Sequence, residues 1–159
     1  MENARILTDF HDALVASKYP RIERRYFVHD VRLLEVNRER QLHTRGSGGT
    51  DIEHAYQELN TLIRHDYPNP DLVAVYVLHL TDAENGSQNE PVIKTVTEGL
   101  LPRVERFSFG QLLGNPQEDL AVRLDALSRK QPKIRMAKVK DDNDFIPASK
   151  TFLGRRPIP

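Results

Sequence analysis

The segment Leu72–Leu80 is apolar at every position except His79. Turn residues bracket it, with Asp66-Tyr67-Pro68-Asn69-Pro70-Asp71 before it and the loop Thr81–Glu90 after it. A short unbroken apolar run rich in valine and leucine reads as a strand, and the lack of polar alternation predicts cover on both faces. That requirement points to a parallel sheet sandwiched by helices. The chain is long enough, since a domain near 159 residues can bury roughly 70% of the surface its unfolded form exposes. The same run falls far short of the ~20 residues a membrane helix needs. Glu2, Arg5, Asp9 and Asp12 leave no room for the apolar stretch of a signal peptide.

The flanking segments supply the helices. Ile6, Phe10, Ala13 and Leu14 recur at helical spacing over residues 2–17, and Tyr19-Pro20 ends that pattern. Glu23–Val36 is rich in β-formers and reads as one long strand or two short ones. Ile52, Ala55, Tyr56, Leu59, Leu62 and Ile63 form an apolar stripe, with Thr50 and Glu53 in capping-box spacing at its start. Further on, helices are expected near Pro91–Leu101, Pro116–Arg129 and Phe145–Leu153, with Pro91 at a first helical position. Strands are expected near Arg103–Phe109 and Lys133–Lys140. The alternation predicts a three-layer α/β fold with a mainly parallel, doubly wound sheet. Residues 1–154 read as one domain and 155–159 as a tail.

Function is constrained first by charge. With 23 Lys+Arg against 23 Asp+Glu, the formal net charge is zero, so no bulk field draws the chain to nucleic acid or to a membrane. The absence of cysteine removes disulfides, thiol catalysis and Cys-based zinc sites, and fits a cytoplasmic location. Gly46-Ser47-Gly48-Gly49-Thr50-Asp51 runs into a helix start, yet it lacks the Lys-Ser/Thr of a phosphate loop. Asp82, closing the apolar strand, has the chemistry of a hard-oxygen ligand for Mg²⁺ or Mn²⁺, and Thr50 could add a hydroxyl. Equally, Thr50 reads as a helix cap and Asp82 as a turn residue.

The other polar groups offer less. No HExxH or i, i+4 histidine pair occurs, and His54 and His65 stand roughly 16 Å apart along their helix at 1.5 Å per residue. His79 reads as a hydrogen-bonded core residue. Asp141, Asp142 and Asp144 read as capping residues of the last helix. No serine sits in a nucleophile elbow. Arg21, Arg24, Arg25, Arg32, Arg38, Arg40 and Arg45 interleave with Glu23, Asp30, Glu35 and Glu39. They read as a salt-bridged face, with Arg38, Arg40 and Arg45 as candidate partner contacts.

Several short motifs occur in a telling order. They are Arg25–Asp30, Gly48-Gly49-Thr50, Thr81-Asp82-Ala83-Glu84-Asn85, Leu100–Val104 with Phe107-Ser108-Phe109, and Asp141–Phe145. In this order the chain resembles the C-terminal part of the YeaH/YhbH family of bacterial proteins. That family is similar to von Willebrand factor A domains, whose metal-ion-dependent adhesion site combines an Asp-x-Ser-x-Ser motif after the first strand, a threonine and a later aspartate. The resemblance implies Thr50 and Asp82 as metal ligands, with Gly48, Gly49, Glu84 and Asn85 shaping the site loops. Family members look like Ser-Asp-Gly-Asp-Asn where this chain has Thr81-Asp82-Ala83-Glu84-Asn85. No Asp-x-Ser-x-Ser occurs in the chain.

The resemblance therefore implies a von Willebrand A-like domain that is N-terminally incomplete and lacks its first central strand. That strand would lie between those near Tyr26–Val31 and Leu72–Leu80. The implied function is protein interaction through a partial adhesion-type site, holding Mg²⁺ or Mn²⁺ weakly. The setting implied is a bacterial stress or sporulation system, with a PrkA-type serine protein kinase and SpoVR-like proteins as partners. The alternatives are a metal-independent docking module, or a metal-dependent hydrolase using Asp82, Glu84 and a histidine.

Overall fold

A computed structural model describes residues 2–29, 31–37, 51–83, 85, 88–112 and 119–154. The first expected helix is α1, Glu2–Lys18. The β-rich stretch resolves into two short strands, β1 (Tyr26–His29) and β2 (Leu33–Val36). They pair antiparallel as a hairpin, with Tyr26 opposite Val36 and His29 opposite Leu33.

Helix α2 spans Ile52–Asp66 and buries Ile52, Ala55, Tyr56 and Ile63, members of the stripe read from spacing. Its cap differs from expectation. Asp51 is the N-cap, its carboxylate accepting the His54 N–H at 3.0 Å. Glu53 instead takes the side-chain amide of Gln57 at 2.8 Å. An aspartate satisfies the orphan donor and also complements the positive end of the helix.

Strands β3 (Tyr76–Thr81), β4 (Arg106–Leu112) and β5 (Ile134–Val139) form a parallel sheet in the order β3-β4-β5. This is the α/β architecture that the alternation predicts. The location of the most buried strand is a correction. Leu72 and Val73 are 79% and 43% exposed and precede β3, which is an edge strand among the described residues. The central strand is β4, where Phe107, Ser108, Phe109, Gly110 and Gln111 are all buried. Its position between two neighbours, more than its own hydropathy, sets that burial.

Helix α3 (Asn89–Lys94) continues into a π-helical turn, Thr95–Leu100. Pro91 is third in the helix, not first, and is tolerated because first-turn N–H groups have no intrahelical acceptor. Helix α4 spans Asp119–Ser128. A 3₁₀ turn, Asp142–Asp144, leads into α5, Phe145–Leu153. Asp141 accepts the Asn143 N–H at 2.9 Å and Asp144 the Lys140 N–H at 2.7 Å, so the acidic group caps the 3₁₀ turn. Helix α5 itself, with Asp144 as its N-cap, has no side-chain capping bond.

Two cores lie on opposite faces of the sheet. Phe107, Phe109 and Ile134 pack with Ile52, Tyr56, Val92, Val96, Leu120 and Leu124 from α2, α3, its π turn and α4. Val139, with Leu78, Leu80 and Leu112, packs with Leu7 of α1 and Phe145, Ala148 and Phe152 of α5. The alternation of side chains along β4 feeds both faces. Gly110 is forced by close approach, because a Cβ there would lie 2.6 Å from Leu80 Cδ2 and 3.2 Å from Phe152 Cζ.

Candidate functional site

In open α/β sheets, ligands gather beyond the carboxyl ends of the strands. At that end of β3 the Thr81 hydroxyl accepts the Ala83 N–H at 3.2 Å and donates to Asp82 Oδ1 at 3.3 Å. Asp82 is exposed. Ala83 is fully buried at φ 70°, the left-handed region that glycine occupies at little cost. The alanine thus takes up a glycine-like bend while adding a buried methyl group.

Asn85 ties this loop to the helices. Its Oδ1 accepts the Ile52 N–H at 3.3 Å, and its Nδ2 donates to Asn89 Oδ1 at 2.9 Å. Asn89 in turn donates to Asp119 Oδ2 at 3.0 Å, and Arg123 bonds Asp119 at 2.6 Å and Glu90 at 2.9 Å. The Asp119 carboxyl sits below its ordinary range, through the bond from Asn89 and then the bond from Arg123. The first turns of α2, α3 and α4 are therefore laced together behind Asp82.

Of the residues singled out from the sequence, Asp82 and Asn85 lie at this edge. Thr50, Gly48, Gly49, Glu84, Arg38, Arg40 and Arg45 lie outside the described residues. Among the described residues no group of three or more histidine, aspartate or glutamate side chains converges to hold a metal. The Asp82 carboxylate alone is only part of the oxygen shell that Mg²⁺ or Mn²⁺ requires.

Of the arginines in the basic stretch, Arg25 pairs with an interleaved acid, Glu35, and Arg24 with Asp12 of α1 at 3.8 Å. Arg25 bonds Glu35 at 2.7 and 2.9 Å and also bonds Asp66, so it joins the hairpin to the end of α2. The Glu35 carboxyl is held below its ordinary range mainly by Arg25, and the Asp66 carboxyl by His65 and then Arg25. Above this bridge, a groove of about 700 Å³ opens between the hairpin and α2, floored by Phe27, Leu33 and Leu62.

One constellation was not read from the sequence. Tyr56 Oη lies 2.6 Å from His79 Nδ1, and His79 Nε2 lies 2.7 Å from His29 Nε2. The rings of Tyr56, His29 and Phe109 all meet His79 edge to face. Burial, then the neighbouring His29, pushes the His79 imidazole well below its ordinary value, and burial pushes the Tyr56 phenol up. A signal was present in the sequence: a tyrosine in an apolar helical stripe and a histidine in an apolar strand must each find a partner.

Comparison with known proteins is informative at the level of family. A family model described as "Protein of unknown function (DUF444)" matches residues 10–156. A UPF0229 protein of Legionella pneumophila (strain Corby) is 23% identical over 145 residues, covering 91% of this chain and 34% of that protein. A UPF0229 protein of Saccharophagus degradans is 28% identical over 140 residues, covering 87% of this chain and 33% of that protein. The chain thus spans about a third of the length of these curated relatives. No solved structure matches it. Among the described residues, no helix is long and apolar enough to cross a membrane.

Proposed function

The chain belongs to the DUF444 family, the family of the UPF0229 and YeaH/YhbH proteins, and from that premise we propose that it is a von Willebrand A-like protein-interaction domain. Its binding edge is the carboxyl end of β3, with Asp82 at its centre. The observation that carries this reading is the construction of the Asp82 loop. An exposed carboxylate follows a parallel strand directly, on a backbone fixed by the left-handed Ala83 and anchored through Asn85 to the start of α2. Such a carboxylate is preorganised to engage a partner without ordering a loop first.

Thr50 and Asp82 are the proposed metal ligands. One hydroxyl and one carboxylate leave Mg²⁺ or Mn²⁺ under-held, so metal is expected to bind the isolated chain weakly. The proposed partners are a PrkA-type serine protein kinase and SpoVR-like proteins, in a cytoplasmic stress or sporulation system. Between the hairpin and β3, no backbone ladder runs among the described residues. A metal-independent docking module, using the Arg-rich hairpin region beside the groove over α2, is the second reading. A hydrolase is third, because it requires a base and a metal cluster in one place.

Calorimetry with MgCl₂ and MnCl₂, on the chain and on Asp82→Ala, tests the metal assignment. Weak heat, lost in the variant, is expected. Tight binding that Asp82→Ala abolishes would overturn the under-held site, and weak binding unchanged in the variant would remove Asp82 from it. Binding of purified PrkA-type kinase, measured with EDTA and with Asp82→Ala, separates the readings. Full binding under both conditions favours the metal-independent module.

A further inference from the structure

The hydrogen-bonded chain Tyr56–His79–His29 spans three elements, α2, β3 and β1, and it is a side-chain bridge from the hairpin to the parallel sheet. Its protons can be counted. Two imidazole nitrogens 2.7 Å apart hold one proton between them: two lone pairs repel at that distance, and two N–H groups cannot face each other. When both rings are neutral, two arrays satisfy the count. In one, Tyr56 donates to His79 Nδ1 and His79 Nε2–H donates to His29. In the other, His79 Nδ1–H donates to Tyr56 Oη and His29 Nε2–H donates to His79.

An added proton fits either array, as a His29 imidazolium donating to a still neutral His79 or as a His79 imidazolium donating to both His29 and Tyr56 Oη. The burial of His79 favours the first. A further proton must place N–H on both facing nitrogens and two like charges side by side. We propose that this chain is a proton-counting clasp, which keeps the hairpin docked while it holds at most one extra proton and releases the hairpin when a second arrives. This device does not depend on the Asp82 reading.

The surroundings favour such behaviour. From β4, the uncharged rings of Phe107 and Phe109 meet Tyr56 and His79 edge to face. From α2, Tyr56 stays neutral, and Glu58 accepts the N–H of Leu33, the residue opposite His29, at 2.6 Å. Among the described residues, His54, 3.3 Å from Glu58, and His65, 2.6 Å from Asp66, also line the joint between the hairpin and α2. The Arg25 bridge at the far end of the hairpin involves carboxylates held low, so it persists through the histidine range. His11 is also depressed by burial, but it lies on α1 against Phe152.

The sign follows from linkage. The docked pair takes up one proton at most, whereas two freed histidines take up two below about pH 6.5. Opening of the hairpin should therefore rise at least about tenfold for each pH unit below that point. Docking is full above the free-histidine range and is lost as pH falls.

Hydrogen exchange from about pH 8 to about pH 5, corrected for the intrinsic rate, reads this directly. Amides of residues 26–36 should open with the stated slope, while those of Ile134–Val139 should not follow it. His29→Gln keeps a hydrogen-bonding side chain but cannot titrate, so it should flatten the slope, whereas His54→Gln should leave it intact. Long-range imidazole ¹⁵N spectra of the unaltered chain provide a second measurement that needs no variant. They should show a single proton between the two Nε2 atoms at neutral pH. A hairpin slope unchanged by His29→Gln, or two imidazoles titrating freely near pH 6.5, would overturn the clasp.

Discussion

Gly110→Ala is the sharpest test of the packing described above. The added Cβ would fall 2.6 Å from Leu80 Cδ2 and 3.2 Å from Phe152 Cζ. Leu80 is half-buried and can swing its tip, but Phe152 is 1% exposed and locked among Leu7, Val139 and Phe145. Overpacking of this kind costs about 1–3 kcal/mol. Alanine recovers about 0.5–1 kcal/mol through its better strand backbone. The net expectation is a loss of about 1–2 kcal/mol, or a melting point lower by roughly 3–6 °C for a chain of this size. Urea unfolding followed by circular dichroism gives the value. In the double variant Leu80→Ala/Gly110→Ala the nearest obstacle is gone. Its loss should be smaller than the sum of the two single losses by about 1 kcal/mol. A neutral or stabilising Gly110→Ala, or strict additivity in the cycle, would refute the close approach of β4 to α5.

Three further outcomes follow from the geometry. At Ala83, glycine relieves about 1 kcal/mol of left-handed strain but gives up a buried methyl group worth about 0.8 kcal/mol. Ala83→Gly should therefore change stability by less than about 1 kcal/mol, while the β-branched Ala83→Val should lose more than about 2 kcal/mol, both read by urea melts. Arg25→Met should loosen the hairpin without unfolding the sheet, seen as faster exchange of residues 26–36 alone. The same contacts should weaken as pH falls below the ordinary carboxylate range, because Glu35 and Asp66 are held low when folded, and high salt should mimic that effect in part.

Much of this fold is legible in the sequence, for definite physical reasons. Helix α2 announces itself through Ile52, Ala55, Tyr56 and Ile63 because burial along one stripe is what makes a helix of that length stable. The strands after it are recognisable for the same kind of reason, and their parallel pairing follows from the helices between them. The central strand is harder to find. The Phe107-Ser108-Phe109-Gly110-Gln111 stretch carries polar atoms and a glycine, while the more apolar Leu72–Leu80 looks more deeply buried. Burial in a sheet depends on neighbours, and local hydropathy does not record neighbours. Asp51 in place of Thr50 as the cap of α2 is a boundary effect of one residue. Of the candidate site, the place of Asp82 at the carboxyl end of a parallel strand was legible, because the apolar run before it marks the strand. The pairing of His29 with His79 was not, since it joins residues far apart in sequence and depends on how the hairpin docks.

The exposed start of β3 has a practical consequence for the chain in solution. Among the described residues no strand pairs with that edge, and Leu72, Val73 and Tyr76 stand exposed at its start. Edges of this sort recruit strands from other molecules unless charge or cover prevents it. With a formal net charge of zero at pH 7, the chain has little long-range repulsion to keep its copies apart. Association near neutrality is thus expected to begin at this edge. Moving the buffer away from the isoelectric point, or placing a lysine at Val73, should raise the concentration at which it stays monomeric.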